Sequence, residues 1–122
     1  MIVGFNIDSL DASKESSAQG NLQVNYTPKI TDVESVKVNA FDEEVARINY
    51  DFKVGYNAGN KEAARINMSG NVLWKGQVEE ITDSWEEDEE LPENVRVPLM
   101  NELYRKLLSE SVGVANSLGL LP

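Results

Sequence analysis

The chain contains no cysteine and no histidine among its 122 residues. Without cysteine there is neither a disulfide framework nor a thiolate metal site. Without histidine, the commonest general base, the commonest metal ligand and the side chain that titrates nearest neutral pH are all missing. Long apolar runs are missing too: nothing approaches the ~20 consecutive residues a membrane-spanning helix needs, so no membrane insertion is expected. The sequence opens directly on Ile2-Val3-Gly4-Phe5, without the basic leader and apolar stretch of a secretory signal, which sets a cytoplasmic location as the expectation. Basic residues are scarce, 11 against 21 acidic ones for a net charge of −10. No basic patch offers itself to phosphates, so nucleic acid is not an expected partner.

What is present is alternation. From Ala46 to Tyr56, residues Ala46, Ile48, Tyr50, Phe52, Val54 and Tyr56 share one parity, and Arg47, Asn49, Asp51 and Lys53 the other. From Ala64 to Trp74, residues Ala64, Ile66, Met68, Val72 and Trp74 oppose Arg65, Asn67, Ser69 and Asn71. A strand turns its side chains over every second residue, so both segments read as long strands with one apolar and one wet face. Asn57-Ala58-Gly59-Asn60 is the turn joining them. Gly55 and Gly70 are candidate bends or bulges, and Arg47, Lys53 and Arg65 candidate cross-strand ion pairs.

Val3, Phe5 and Ile7 predict a short first strand over Ile2–Asp8, followed by a loop over Ser9–Gly20. Leu22, Val24 and Tyr26 predict another strand, which Pro28 ends or bends. Val36, Val38 and Ala40 predict a further extended piece, with a hairpin turn near Asp42-Glu43.

The apolar sheet face needs a cover, and the C-terminal third supplies it. Val78, Ile81 and Trp85 recur at helical spacing. Leu99, Leu103, Leu107 and Val114 form the stripe of a helix over about Pro98 to Leu118, with Pro98 or Pro92 in its first turn and Gly119 as a left-handed cap closed by Leu120. The expected architecture is a single α+β domain over 1–122, an antiparallel sheet meander with helices on one face.

Three features invite a functional reading. Nine acids and no base lie between Glu79 and Glu93, and outside that window twelve acids nearly balance eleven bases. The segment Asp83 to Asp88 lacks the alternating ligands and glycine of a calcium loop, so no metal is expected. The window reads either as a solvated helix face or, through Glu86, Glu87, Asp88, Glu89 and Glu90, as a dock for a basic partner. Ser109, Gly113 and Ala115 in the long helix suggest close approach of another backbone, either this chain's sheet or a second subunit's helix. Leu118, Leu120, Leu121 and Pro122 form an apolar end that ought to be docked. No acid, base and nucleophile stand together, so neither an enzyme nor a cofactor is expected.

Ordered this way, the Val3-Gly4-Phe5-Asn6-Ile7 strand, the long strands and the helix following Val97-Pro98-Leu99 and closing into Leu118-Gly119-Leu120-Leu121-Pro122 resemble the SecB-like protein-export chaperone family. The archaeal-type members, with a charged helical insert before the long helix, are the most similar. The resemblance implies a four-stranded sheet assembled as dimers or tetramers. It also implies a nucleotide-independent chaperone that holds unfolded or partly folded polypeptides in apolar grooves, for export or as an antitoxin chaperone. Tyr50, Tyr56, Met68, Trp74, Trp85 and Met100 are the groove candidates. Family members continue past the proline segment into a second helix, so either the full protein extends beyond Pro122 or it lacks that wall. The alternative is a non-enzymatic oligomeric module gripping one basic partner through its acidic segment.

Overall fold

A computed structural model describes residues 1–15, 22–38, 43–59 and 61–119. Strands β1 (Ile2–Lys14), β2 (Gln23–Val38), β3 (Glu43–Ala58) and β4 (Lys61–Trp74) precede helices α1 (Val78–Asp88) and α2 (Glu93–Leu118). The strands form one antiparallel sheet in the order β1-β4-β3-β2. The α+β architecture is the one the alternation predicts. The meander runs through β2, β3 and β4, and β1 closes the sheet against β4.

β3 and β4 show the cleanest alternation because they are central strands covered on one face only. Their register sets Ile48 against Val72, Phe52 against Met68 and Val54 against Ile66, and all six are buried. Gly59 holds the turn after β3 at φ 66°. Asn60, and residues 39–42 with the expected Asp42 turn, lie outside the described residues.

The edge strands correct three expectations. The segment expected as a loop from Ser9 continues β1 as far as Lys14, where Ser9 pairs with Ser69 and Ala12 with Ile66; residues 16–20 lie outside the described set. Asp8 is an extra residue between the Ile7–Gly70 and Ser9–Ser69 pairs. This bulge shifts the parity by one, so the apolar positions run Phe5, Ile7, then Leu10, Ala12, and the alternation looks broken. Of the two outcomes expected at Pro28, an end to the strand is overturned: Pro28 pairs with Phe52 inside β2, as an edge strand tolerates, and a register shift follows between Ile30 and Asp32. An extra residue at Thr31 shifts parity there and brings Val33, rather than Val36, to the covered face opposite Ile48. The segment with Val36 and Val38 is thus the end of β2, not a separate piece. The bends expected at Gly55 and Gly70 fall beside them: one register shift lies between Tyr56 and Asn57, the other across from Gly70 in β1.

α2 begins at Glu93, five residues before the expected Pro98, with Pro92 as its N-cap and Pro98 inside it. Its 26 residues span about 39 Å. Val95, Leu99, Leu103, Leu107, Ser111 and Ala115 are its buried positions, each four residues from the last. Four residues overshoot a 3.6-residue turn by about 40°, so the buried line winds around the helix as it crosses the twisted sheet. Ala115 therefore occupies the core position expected for Val114, which is half-buried. The buried Ser111 hydroxyl donates to the Leu108 carbonyl at 2.8 Å. Gly119 caps the helix at φ 72°, its N–H donating to the carbonyls of Ala115 and Asn116. Lys14 Nζ donates to the Leu118 carbonyl at 2.9 Å, placing a cation at the negative end of the helix. Leu120, Leu121 and Pro122 lie outside the described residues.

Gly113 is exposed, and a Cβ built on it meets nothing within 4 Å. Approach to this chain's own sheet is therefore not the reason for glycine there. Gly113→Ala is expected to stabilise an isolated chain by about 1 kcal/mol, raising the thermal midpoint by about 4 °C. A midpoint that falls, and that depends on protein concentration, would place a second subunit's helix in that space.

Candidate binding surfaces

The six groove candidates separate into two groups. Tyr50, Tyr56, Met68 and Trp74 lie in the core between sheet and helices, at 1, 2, 2 and 7 % exposure; in this conformation no outside chain touches them. Their parity faces them toward the side that α1 and α2 cover. Tyr50 is the most constrained. Its hydroxyl donates to the Asn6 carbonyl at 2.8 Å, and its ring stacks on Phe5 at 5.9 Å between centroids. Burial, and after it the Asp8 and Glu110 carboxylates, push its phenol up to about 12. Burial and the neighbouring Tyr26 raise that of Tyr56 as well.

Both shifts favour the neutral phenol in the folded state. The stability they contribute is complete below the ordinary tyrosine value near 10 and is lost as pH rises through the folded-state value. For Tyr50 this amounts to about 2–3 kcal/mol. An alkaline titration should show a drop in unfolding free energy between about pH 10 and 12, reduced in Tyr50→Phe.

Trp85 and Met100, by contrast, come together. With Ile30 of β2 and Leu91 of the α1–α2 connector they line an open cavity of about 290 Å³, edged by Glu89, Glu90 and Arg96. The connector is held at three points. Leu91 is buried, Ser84 Oγ donates to the Glu90 carbonyl at 2.7 Å, and the Glu89 N–H donates to the Trp85 carbonyl at 2.8 Å. Glu89 takes a left-handed conformation, φ 55°, where glycine is the usual residue. Ile30 and Leu91 were not among the expected groove residues. Leu91, a lone apolar residue between the acidic run and Pro92, carried the available signal, whereas nothing in the neighbourhood of Ile30 points to a helix far along the chain.

Glu86, Glu87, Asp88, Glu89 and Glu90 are all exposed. The first three occupy the last turn of α1, which carries no basic residue, so they oppose the helix dipole at about 0.3–1 kcal/mol each. Among the described residues none of the five forms an ion pair.

The open face of the sheet behaves as its sequence predicts. Arg47 pairs with Glu34 at 3.3 Å, Lys53 with Glu62 at 3.1 Å and Arg65 with Asp11 at 3.8 Å. These pairs are solvated and contribute little, about 0–1 kcal/mol each. A second, larger cavity of about 430 Å³ crosses all four strands on this face, with Lys29, Lys53, Asp11 and Asp51 on its walls. Its mixed charges select no ligand class. Among the described residues no group of acidic side chains is arranged to hold a metal, and no helix is long and apolar enough to cross a membrane. Compared with known proteins, the chain matches no family model, no curated sequence and no solved structure.

Proposed function

We propose that the protein is a nucleotide-independent, SecB-like chaperone that holds unfolded or partly folded polypeptide, works as a homo-oligomer in the cytoplasm and performs no catalysis. The observation that carries this reading is the open cavity where Ile30, Trp85, Leu91 and Met100 converge. Its volume suits one or two apolar side chains of an extended segment rather than a large cofactor. The Met100 thioether in its wall can repack around differing side chains, and the Trp85 indole offers a broad apolar face. The resemblance of the Val3–Ile7 strand, the charged helix and the long helix to the SecB-like family supports the same reading.

The test is suppression of aggregation. A chemically unfolded model protein is diluted into this one at equal stoichiometry without nucleotide, and saturable suppression is expected. Met100→Ala, a change in α2 alone, should weaken it several-fold while the fold persists. Absence of suppression at every ratio would remove the chaperone reading.

A second reading is favoured by the acids at the end of α1, which form no ion pair among the described residues: an interaction module docking one basic partner segment. It expects affinity for a lysine-rich peptide that falls steeply with salt. Binding unchanged by Glu→Gln at 86, 87, 89 and 90 together with Asp88→Asn would sink it.

A further inference from the structure

Of the two helices, α1 buries the fewer side chains. It has 11 residues and buries one side chain fully, Ile81, whereas α2 buries six. A helix this short has little stability of its own in water. Both of its flanking residues, Gln77 at φ 54° and Glu89 at φ 55°, are non-glycine residues in the left-handed region, and Gln77 gives no side-chain cap. Three carboxylates crowd its negative end. It enters through an exposed link in which Gly76, at φ 102°, stands in open space. It leaves through the 89–92 connector, which leads into a helix whose interior Pro98 cannot donate to the Asn94 carbonyl. α1 packs on β2 and β3, the strands that carry Ile30, Val33 and Ile48 on the covered face.

We propose that α1, with Glu89 and Glu90 bonded to its last turns, is a hinged lid that undocks from β2 and β3 as a unit, turning between the Gly76–Gln77 link and the Leu91-Pro92 junction with α2, and so uncovers the apolar strip of Ile30, Val33 and Ile48. The motion stands on the strain, burial and charge of α1 alone; the role of the uncovered strip in receiving polypeptide rests on the chaperone reading. Opening would carry Trp85 away with α1 and leave Ile30 and Met100 continuous with the uncovered strip. Ile81 is its latch, and the carboxylates of the last turn weaken the closed helix.

Native-state hydrogen exchange tests the motion on the unmodified chain. Amides of Thr82–Asp88 are expected to exchange at least about 100-fold faster than those of Leu103–Ser111, through an opening that depends weakly on denaturant. Convergence of both groups on one steep, global unfolding isotherm would overturn the lid. Ile81→Ala provides a second measurement. Its α1 amides should lose protection while Leu103–Ser111 remain protected and the chain still melts cooperatively. Retention of α1 protection in Ile81→Ala would also overturn the lid. In the aggregation assay, this variant should suppress at a several-fold lower ratio than the parent. Unprotected α1 amides with no suppression by either protein would confirm the motion and remove the chaperone reading alone.

Discussion

Gly70→Ala is expected to lower the thermal midpoint by roughly 10–20 °C, the equivalent of about 3–5 kcal/mol in a chain of this size. Gly70 lies on the covered face of β4, opposite both Tyr50 in β3 and Ile7 in β1. An added Cβ would overlap the Asn6 carbonyl oxygen and stand 2.9 Å from the Tyr50 hydroxyl. Neither can yield cheaply, because the first is backbone and the second donates its hydrogen bond to that same carbonyl. The methyl therefore forces β1 outward, at the ~1–3 kcal/mol of overpacking, and orphans a buried hydroxyl at about 1–3 kcal/mol more. Tyr50→Phe by itself should cost less, since it removes the donor without a clash. The double variant should fall short of the sum of the singles, because both break the same contact. A midpoint shift below about 4 °C in Gly70→Ala would mean that β1 is not held where the register places it.

Leu103→Ala should cost about 2–5 kcal/mol. Leu103 is fully buried and sits midway along the winding buried line of α2. Beside it Tyr104 meets the edges of Tyr26 and Phe52, with ring centroids 6.1 and 6.0 Å away. Leu103→Met, which conserves volume, should cost less than about 1.5 kcal/mol. Denaturant melts of the two variants check the contrast; equal losses would mean that the site does not depend on packing.

The strands over Ala46–Tyr56 and Ala64–Trp74 were legible because central strands with one covered face display their parity without interruption. β1 and β2 were not, because the extra residues at Asp8 and Thr31 reverse the parity midway. The alternation of Leu10 and Ala12 is present but out of phase with Phe5 and Ile7. Pro98 was misleading in a different way. Local propensity sets a helix start at such a proline, but Val95 and Leu99 bury their side chains in the core, and that burial carries the helix through it.

The sequence by itself determined the fold class, the two central strands, the charged helix, the leucine line of α2 and its glycine cap, because each is written in neighbours a few residues apart. The tertiary structure alone decided that Trp85 and Met100 share a cavity with Ile30 and Leu91 while Tyr50, Tyr56, Met68 and Trp74 lie beneath the helices. It alone decided that Gly70 faces a carbonyl more than sixty residues away in the chain. These outcomes depend on register and helix placement, which arise from contacts between distant segments and leave no local period to read.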